Sequence, residues 1–246
     1  MHVQKQGSYS LSSDSGAGLS ASNVGMIQAV ASAGPLLVLF AFTVPLTTLT
    51  STAEALSAGS GAQAWILSAM SVGAAAGLLS SGAVGDDYGR RRTFVIGCLL
   101  LAFTSLLAAI SPNGPLLIVA RVLQGIGGAA IISCSLGIIG SVFSVGRARS
   151  NATGVWAAAL GTGVAIGPLL SAELDRLAGW QMPYLVSAVG AFLLALAGHL
   201  IFPEVRAVRP RRVDLFGALF LSGGWCLYYQ HLWKVAPVGT TRWFLV

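Results

Sequence analysis

The sequence predicts an all-α membrane protein, a bundle of hydrophobic helices lying in a lipid bilayer. Hydrophobic residues make up 55% of the 246 and charged residues only 9%, against about a quarter charged in a soluble globular domain. So few charges cannot cover a surface that faces water. The apolar residues also fall in long runs, and a membrane-spanning helix needs roughly 20 of them. Glycine is abundant, at 31 residues, which suits helices whose backbones approach closely in lipid.

Residues 1–26 are polar and rich in Ser and Gly, with Lys5 the one Lys or Arg. They have no compact apolar core, so they read as a disordered cytoplasmic tail and not as a signal peptide. Seven spans are expected, at about 29–51, 64–84, 93–111, 115–143, 152–172, 183–203 and 214–232. A six-helix bundle over 27–203 is thus succeeded by a basic cytoplasmic loop at 204–213, a seventh helix at 214–232 and an irregular tail at 233–246. The seventh span is the weakest, because its second half turns polar and aromatic.

The net charge of +6 has two readings: nucleic-acid binding or membrane topology. The positions decide for topology, with no nucleic-acid partner expected. Lys5, Arg90–Arg92, Arg147, Arg149, Arg206, Arg209, Arg211 and Arg212 fall on one side of the alternating spans, against Arg176, Lys234 and Arg242 on the other. By the positive-inside rule the N-terminus is cytoplasmic and the protein a multi-pass protein of the cell membrane. Cys98, Cys134 and Cys226 lie in apolar runs without metal-ligand spacing and read as small packing residues. His2, His199 and His231 are isolated, and neither lysine comes after a glycine, so no metal centre, cofactor, enzymatic site or ATP-binding phosphate loop is expected.

Three segments stand out. The loop after span two runs Gly82-Ala-Val-Gly85-Asp86-Asp87-Tyr88-Gly89-Arg90-Arg91-Arg92. An acid at a helix end, a glycine for the turn and cations opening the next helix suit an Asp86–Arg90 pair and a positive-φ Gly89. In span four, Arg121 lies inside an apolar run with Gln124 and Gly125 close behind. A charge at mid-membrane costs about 2.5–3.5 kcal/mol on insertion scales, so Arg121 either faces the bundle interior or snorkels to the outer interface from its place near the helix start. In span five, Gly161, Gly163, Gly167 and Pro168 combine close packing with a proline able to bend the helix. Gly73, Gly77, Ser81 and Gly85 place small residues at four-residue spacing along span two.

The loop pattern Gly-x-x-x-Asp-x-x-Gly-Arg-Arg resembles the signature between helices two and three of the major facilitator superfamily. Arg121-x-x-Gln124-Gly125 is similar to that family's fourth-helix motif, and Gly163-x-x-x-Gly167-Pro168 to the fifth-helix motif of its antiporter branches. Arg212-Val-Asp214-Leu-Phe-Gly217 resembles the fourteen-helix drug:proton antiporter branch. The resemblance covers about residues 34–225. It implies an amino-terminal six-helix bundle of a proton-coupled exporter of small molecules, working by alternating access without a cofactor. It implies a gating role for Asp86 and Arg90, with Gly82 and Gly89 shaping the turn and Arg91 beside them. It implies proton coupling for Arg121 and a place on the transport path for Gln124 and Gly125. The partners implied are lipid, a small-molecule substrate and protons.

The chain departs from the family pattern in four ways. Asp87 stands where a basic residue is usual, and Ser171 and Ala172 stand where two glycines often come after Pro168. Span one carries no acid, Glu54 being the nearest. The family has two six-helix halves with the substrate site between them, whereas the hydrophobic pattern here reaches about seven spans. Two alternatives to a working exporter are therefore a truncated, non-transporting half and a half that needs a partner chain.

Overall fold

The computed structural model describes residues 21–204, without side chains at Ala21, Ser22 and Leu79. It has six helices: α1 Ala21–Ala55, α2 Ser60–Tyr88, α3 Arg90–Ala109, α4 Gly114–Val142, α5 Arg147–Ala178 and α6 Met182–Ile201. All six are long and apolar enough to cross a membrane. Each coincides with one of the first six expected spans. The expected seventh span, residues 205–213 of the basic loop and the carboxy-terminal tail lie outside the described residues.

One boundary differs. By composition residues 21–26 belong to the tail, but they form the first turns of α1. Ile27 is already buried in the core, and packing of that residue stabilises helix that the polar composition of the preceding segment does not announce. Helix ends elsewhere obey local chemistry. The Asn113 side chain accepts a hydrogen bond from the Leu116 amide at 3.0 Å, and Pro115 sits in the first turn, which together start α4. Gly89 separates α2 from α3 with φ +109°, a backbone conformation that a side chain would strain.

α4 is the hub of the bundle, wedged between α2 and α3, and glycines set how close they come. A methyl group at Gly125 would stand 2.6 Å from the Ala74 amide nitrogen, and one at Gly73 would overlap the Val122 carbonyl. On the other side of α4, methyls at Gly97 and Gly127 would each meet the other residue's carbonyl oxygen at 2.9 Å. No hydrophobic effect drives helices together in lipid, so this close van der Waals approach is a main source of association. α1 and α5 run parallel and form a second tight pair. Gly163 and Gly167 rest on Leu36, Phe40 and Thr43. One and two turns further, Thr47 and Ser171 share a hydrogen bond of 2.7 Å, and Ser51 donates to Asp175 at 2.6 Å. α6 closes the bundle against α3, where Phe94 and Phe202 pack edge to face. Outward-facing Ile96, Phe103, Val189, Leu193 and Leu200 suit contact with acyl chains.

Gly125→Ala is expected to lower stability by about 1–3 kcal/mol through overpacking of α2 against α4. Gly154→Ala, where nothing lies within 4 Å of an added methyl, is expected to be neutral or stabilising by less than about 1 kcal/mol. Denaturant unfolding in detergent micelles compares the two, and equal effects would show that the glycine contact does not limit packing.

Candidate functional site

The site begins with a defect in α1. Pro45 lies inside that helix and has no N–H, so it cannot satisfy the Ala41 carbonyl four residues earlier. The freed oxygen is taken by Arg121, whose Nη1 donates to the Ala41 carbonyl at 2.7 Å. Its Nη2 donates to the next carbonyl, that of Phe42, at 3.2 Å. Nη1 also donates to Gln124 Oε1 at 3.0 Å, and Gln124 Nε2 donates to Ser105 Oγ at 2.9 Å. Arg121, Gln124 and Ser105 are all fully buried. A polar thread therefore runs from α1 through α4 to α3 inside the bundle.

The magnitudes are consistent with this placement. On insertion scales an arginine at the centre of a span costs about 2.5–3.5 kcal/mol, and Arg121, two turns into α4, costs no more than that. Each hydrogen bond to a charged group contributes about 1.5–3 kcal/mol, and Arg121 makes three. Of the two placements open to Arg121 from the sequence, the structure has the interior one. Arg121 Nε and the Tyr184 hydroxyl, both buried, have no partner among the described residues.

The loop between α2 and α3 forms a separate constellation. Arg90 contacts Asp86 Oδ1 through Nη2 at 2.8 Å and Nε at 2.9 Å. The Arg90 guanidinium lies over Gly137 of α4, so that a methyl there would meet Arg90 Nε at 2.8 Å. Gly85 makes similar room for Cys134, whose sulfur would be 2.8 Å from an added methyl. Gly89 lies at the turn. Gly82 lies within α2 with no neighbour within 4 Å of an added methyl, well ahead of the turn that the resemblance has it shape. Arg91 makes no ion pair among the described residues, Arg92 lies 3.5 Å from Glu204, and one Asp87 carboxylate oxygen is buried without a partner among them. Gly163 and Gly167 face α1, and α5 continues unbroken through Pro168. The structure thus joins Arg121 to Gln124 and Asp86 to Arg90, and sets Gly163 and Gly167 apart in the α1–α5 seam, with Pro168 next to them on α5.

Sequence reasoning passes over Pro45, Ser105, Gly137 and Asp175. Pro45 carries a usable signal, since a proline inside an apolar span frees a carbonyl that a buried donor can take. Gly137 carries none, because nothing near it in sequence indicates that Arg90 covers it.

Long apolar helices around a buried, hydrogen-bonded cation define a polytopic membrane protein. The chain belongs to the Major Facilitator Superfamily, whose family model matches residues 25–246. It is 34% identical over 192 residues to the puromycin resistance protein pur8 of Streptomyces alboniger, covering 78% of this chain and 38% of that protein. It is 35% identical over 152 residues to the multidrug efflux pump LfrA of Mycolicibacterium smegmatis, covering 62% of this chain and 30% of that one. The chain thus spans about a third of the length of the curated relatives it matches. In fold it resembles the crystallised peptide transporter POT in complex with sulfate, with TM-score 0.64, 16% identity, and 90% of this chain and 47% of that one covered. It also resembles a D-xylose–proton symporter, with TM-score 0.61 and 18% identity, covering 85% and 53% of the two chains.

Arg121→Lys keeps the charge but loses the planar fork that reaches two carbonyls and Gln124 together. It is expected to cost about 1–3 kcal/mol, measured as a fall in the unfolding midpoint in micelles. An unchanged midpoint would show that a point charge suffices and the fork is not needed.

Proposed function

We infer that this chain forms the amino-terminal half of a proton-coupled exporter of small, amphipathic molecules that works by alternating access. The observation that carries this reading is the buried Arg121–Gln124–Ser105 thread tied to the broken turn of α1. Burying a cation in lipid is costly enough that it marks a functional pathway by default. The relatives' names, puromycin resistance and multidrug efflux, point to export of drug-like molecules.

In this reading Arg121 stays charged throughout the cycle, because guanidinium does not deprotonate in proteins. It is therefore not the proton carrier. It acts as a fixed cation that favours the ionised state of an approaching carboxylate, so that protonation of that acid weakens the attraction and loosens the α1–α4 contact. Gln124 holds the guanidinium from behind, and Gly125 keeps α2 close enough to seal the thread. The 82–92 loop acts at the cytoplasmic face as a latch, with Asp86 and Arg90 as its charged parts and Gly89 as its pivot. The arginine distribution supports a cytoplasmic N-terminus in the cell membrane.

A second observation bears on the partner. α2 and α5 are the least covered helices of the bundle, and they present apolar Trp65, Val72 and Leu78 and Ile166, Leu169 and Leu170. These faces suit a carboxy-terminal half packed against them, which supports a half that transports only when joined to that partner.

Dye efflux from cells expressing the chain together with a carboxy-terminal half tests the reading. Efflux is expected to fall to background when an uncoupler collapses the proton gradient, and Arg121→Ala is expected to lower it at least about tenfold, the loss of about 1.4 kcal/mol or more of coupling. No efflux across a panel of amphipathic dyes, or efflux indifferent to the uncoupler, would overturn it.

A further inference from the structure

We propose that the groove between α2 and α3 is a binding site for one anionic glycerophospholipid, seated in the leaflet on the side of Arg90–Arg92. That leaflet is the cytoplasmic one in the topology inferred above, and the leaflet assignment rests on that reading. α2 and α3 both pack closely on α4 but only lightly on one another, so they splay and leave a slot of about 490 Å³. Its floor is made of small residues, Gly77, Gly97, Gly127 and Ala130, and Ile96 and Leu100 form one wall. Only a thin, flexible, apolar occupant fits such a floor, and an acyl chain has that shape.

The end of the slot next to the α2–α3 turn is different. Tyr88 and Arg92 line it there, and both are exposed, Tyr88 by 69%. Arg90 is neutralised by Asp86 and turned over Gly137, so it takes no part. Arg92 has only a loose, exposed contact of 3.5 Å with Glu204, a kind of pair worth little. Arg91 adjoins it without an ion pair among the described residues. An apolar slot with the Arg92 guanidinium at one mouth, and Arg91 next to it in sequence, matches an amphiphile with an anionic head. Arginines bind phosphate oxygens in a bidentate fork, tyrosine favours the headgroup level, and basic clefts between membrane helices on the cytoplasmic side hold anionic headgroups. A helix of a second polypeptide is a poorer match, since it would bury these guanidiniums without an anion.

Native mass spectrometry of the full 246-residue chain in non-ionic detergent, with phosphatidylglycerol or phosphatidylcholine added, tests the proposal. Binding in detergent has no sidedness, so its failure is distinct from a failure of the topology. Phosphatidylglycerol is expected to be retained in preference to phosphatidylcholine. Arg92→Gln is expected to weaken its retention about fivefold, and Arg91→Gln, outside the slot's lining, by less, while both leave phosphatidylcholine unchanged. Ser80→Trp, which fills the slot, is expected to remove both lipids; circular dichroism checks its helix content, and the arginine variants carry the test if it misfolds. Equal retention of the two lipids, retention of neither, or retention of phosphatidylglycerol unaffected by both arginine substitutions would overturn it.

Discussion

The hydrogen bond from Arg121 to the Ala41 carbonyl is the constraint on which the rest of the bundle depends. Two features that are each unfavourable in a membrane meet there. Pro45 leaves a backbone acceptor without its helical partner, and an unsatisfied group in hydrocarbon costs several kcal/mol. Arg121 brings a charge into the same region at a cost of similar size. Placed 2.7 Å apart, each offsets part of the other's penalty. The pairing holds only if α1 and α4 keep one register, because a slip of one residue along either helix would turn Arg121 away from the broken turn.

From that point the packing propagates through α4. Gln124 lies one turn beyond Arg121 and carries the thread to Ser105 on α3. Gly125 comes immediately after and admits α2 to backbone contact. One helical turn therefore binds α1 by charge, α3 by an amide and α2 by the absence of a side chain. The α2–α3 turn is tied to the same helix by Arg90 lying on Gly137. A movement of α4 relative to α1 consequently reaches the Asp86–Arg90 pair through a single rigid element. That linkage is the one the proposed latch role of Asp86 and Arg90 would use.

Much of this is legible in the residues. The six helices arise from apolar runs too long for a soluble core, and the Asp86–Arg90 pair arises from spacing at one helical turn across a glycine. The start of α1 is not legible, since the turn from Ala21 to Met26 is held by tertiary packing of Ile27 and the later turns of the helix, not by its own composition. The direction of Arg121 is not legible either. Hydropathy alone permits a snorkelling side chain, and the deciding group, the Ala41 carbonyl, lies 80 residues away in the chain. Gly137 is the extreme case, because its role is to be empty beneath a side chain from another helix.

The most direct test of the central claim is a double-mutant cycle of Pro45→Ala and Arg121→Leu, read as unfolding free energy in micelles. Pro45→Ala restores an amide that can satisfy the Ala41 carbonyl. Arg121→Leu is expected to cost about 1–3 kcal/mol with Pro45 in place, where it orphans that carbonyl. In the Pro45→Ala background it is expected to cost at least about 1 kcal/mol less. Additive effects, agreeing within about 0.5 kcal/mol, would mean that the proline and the arginine do not act on the same carbonyl and would contradict the account.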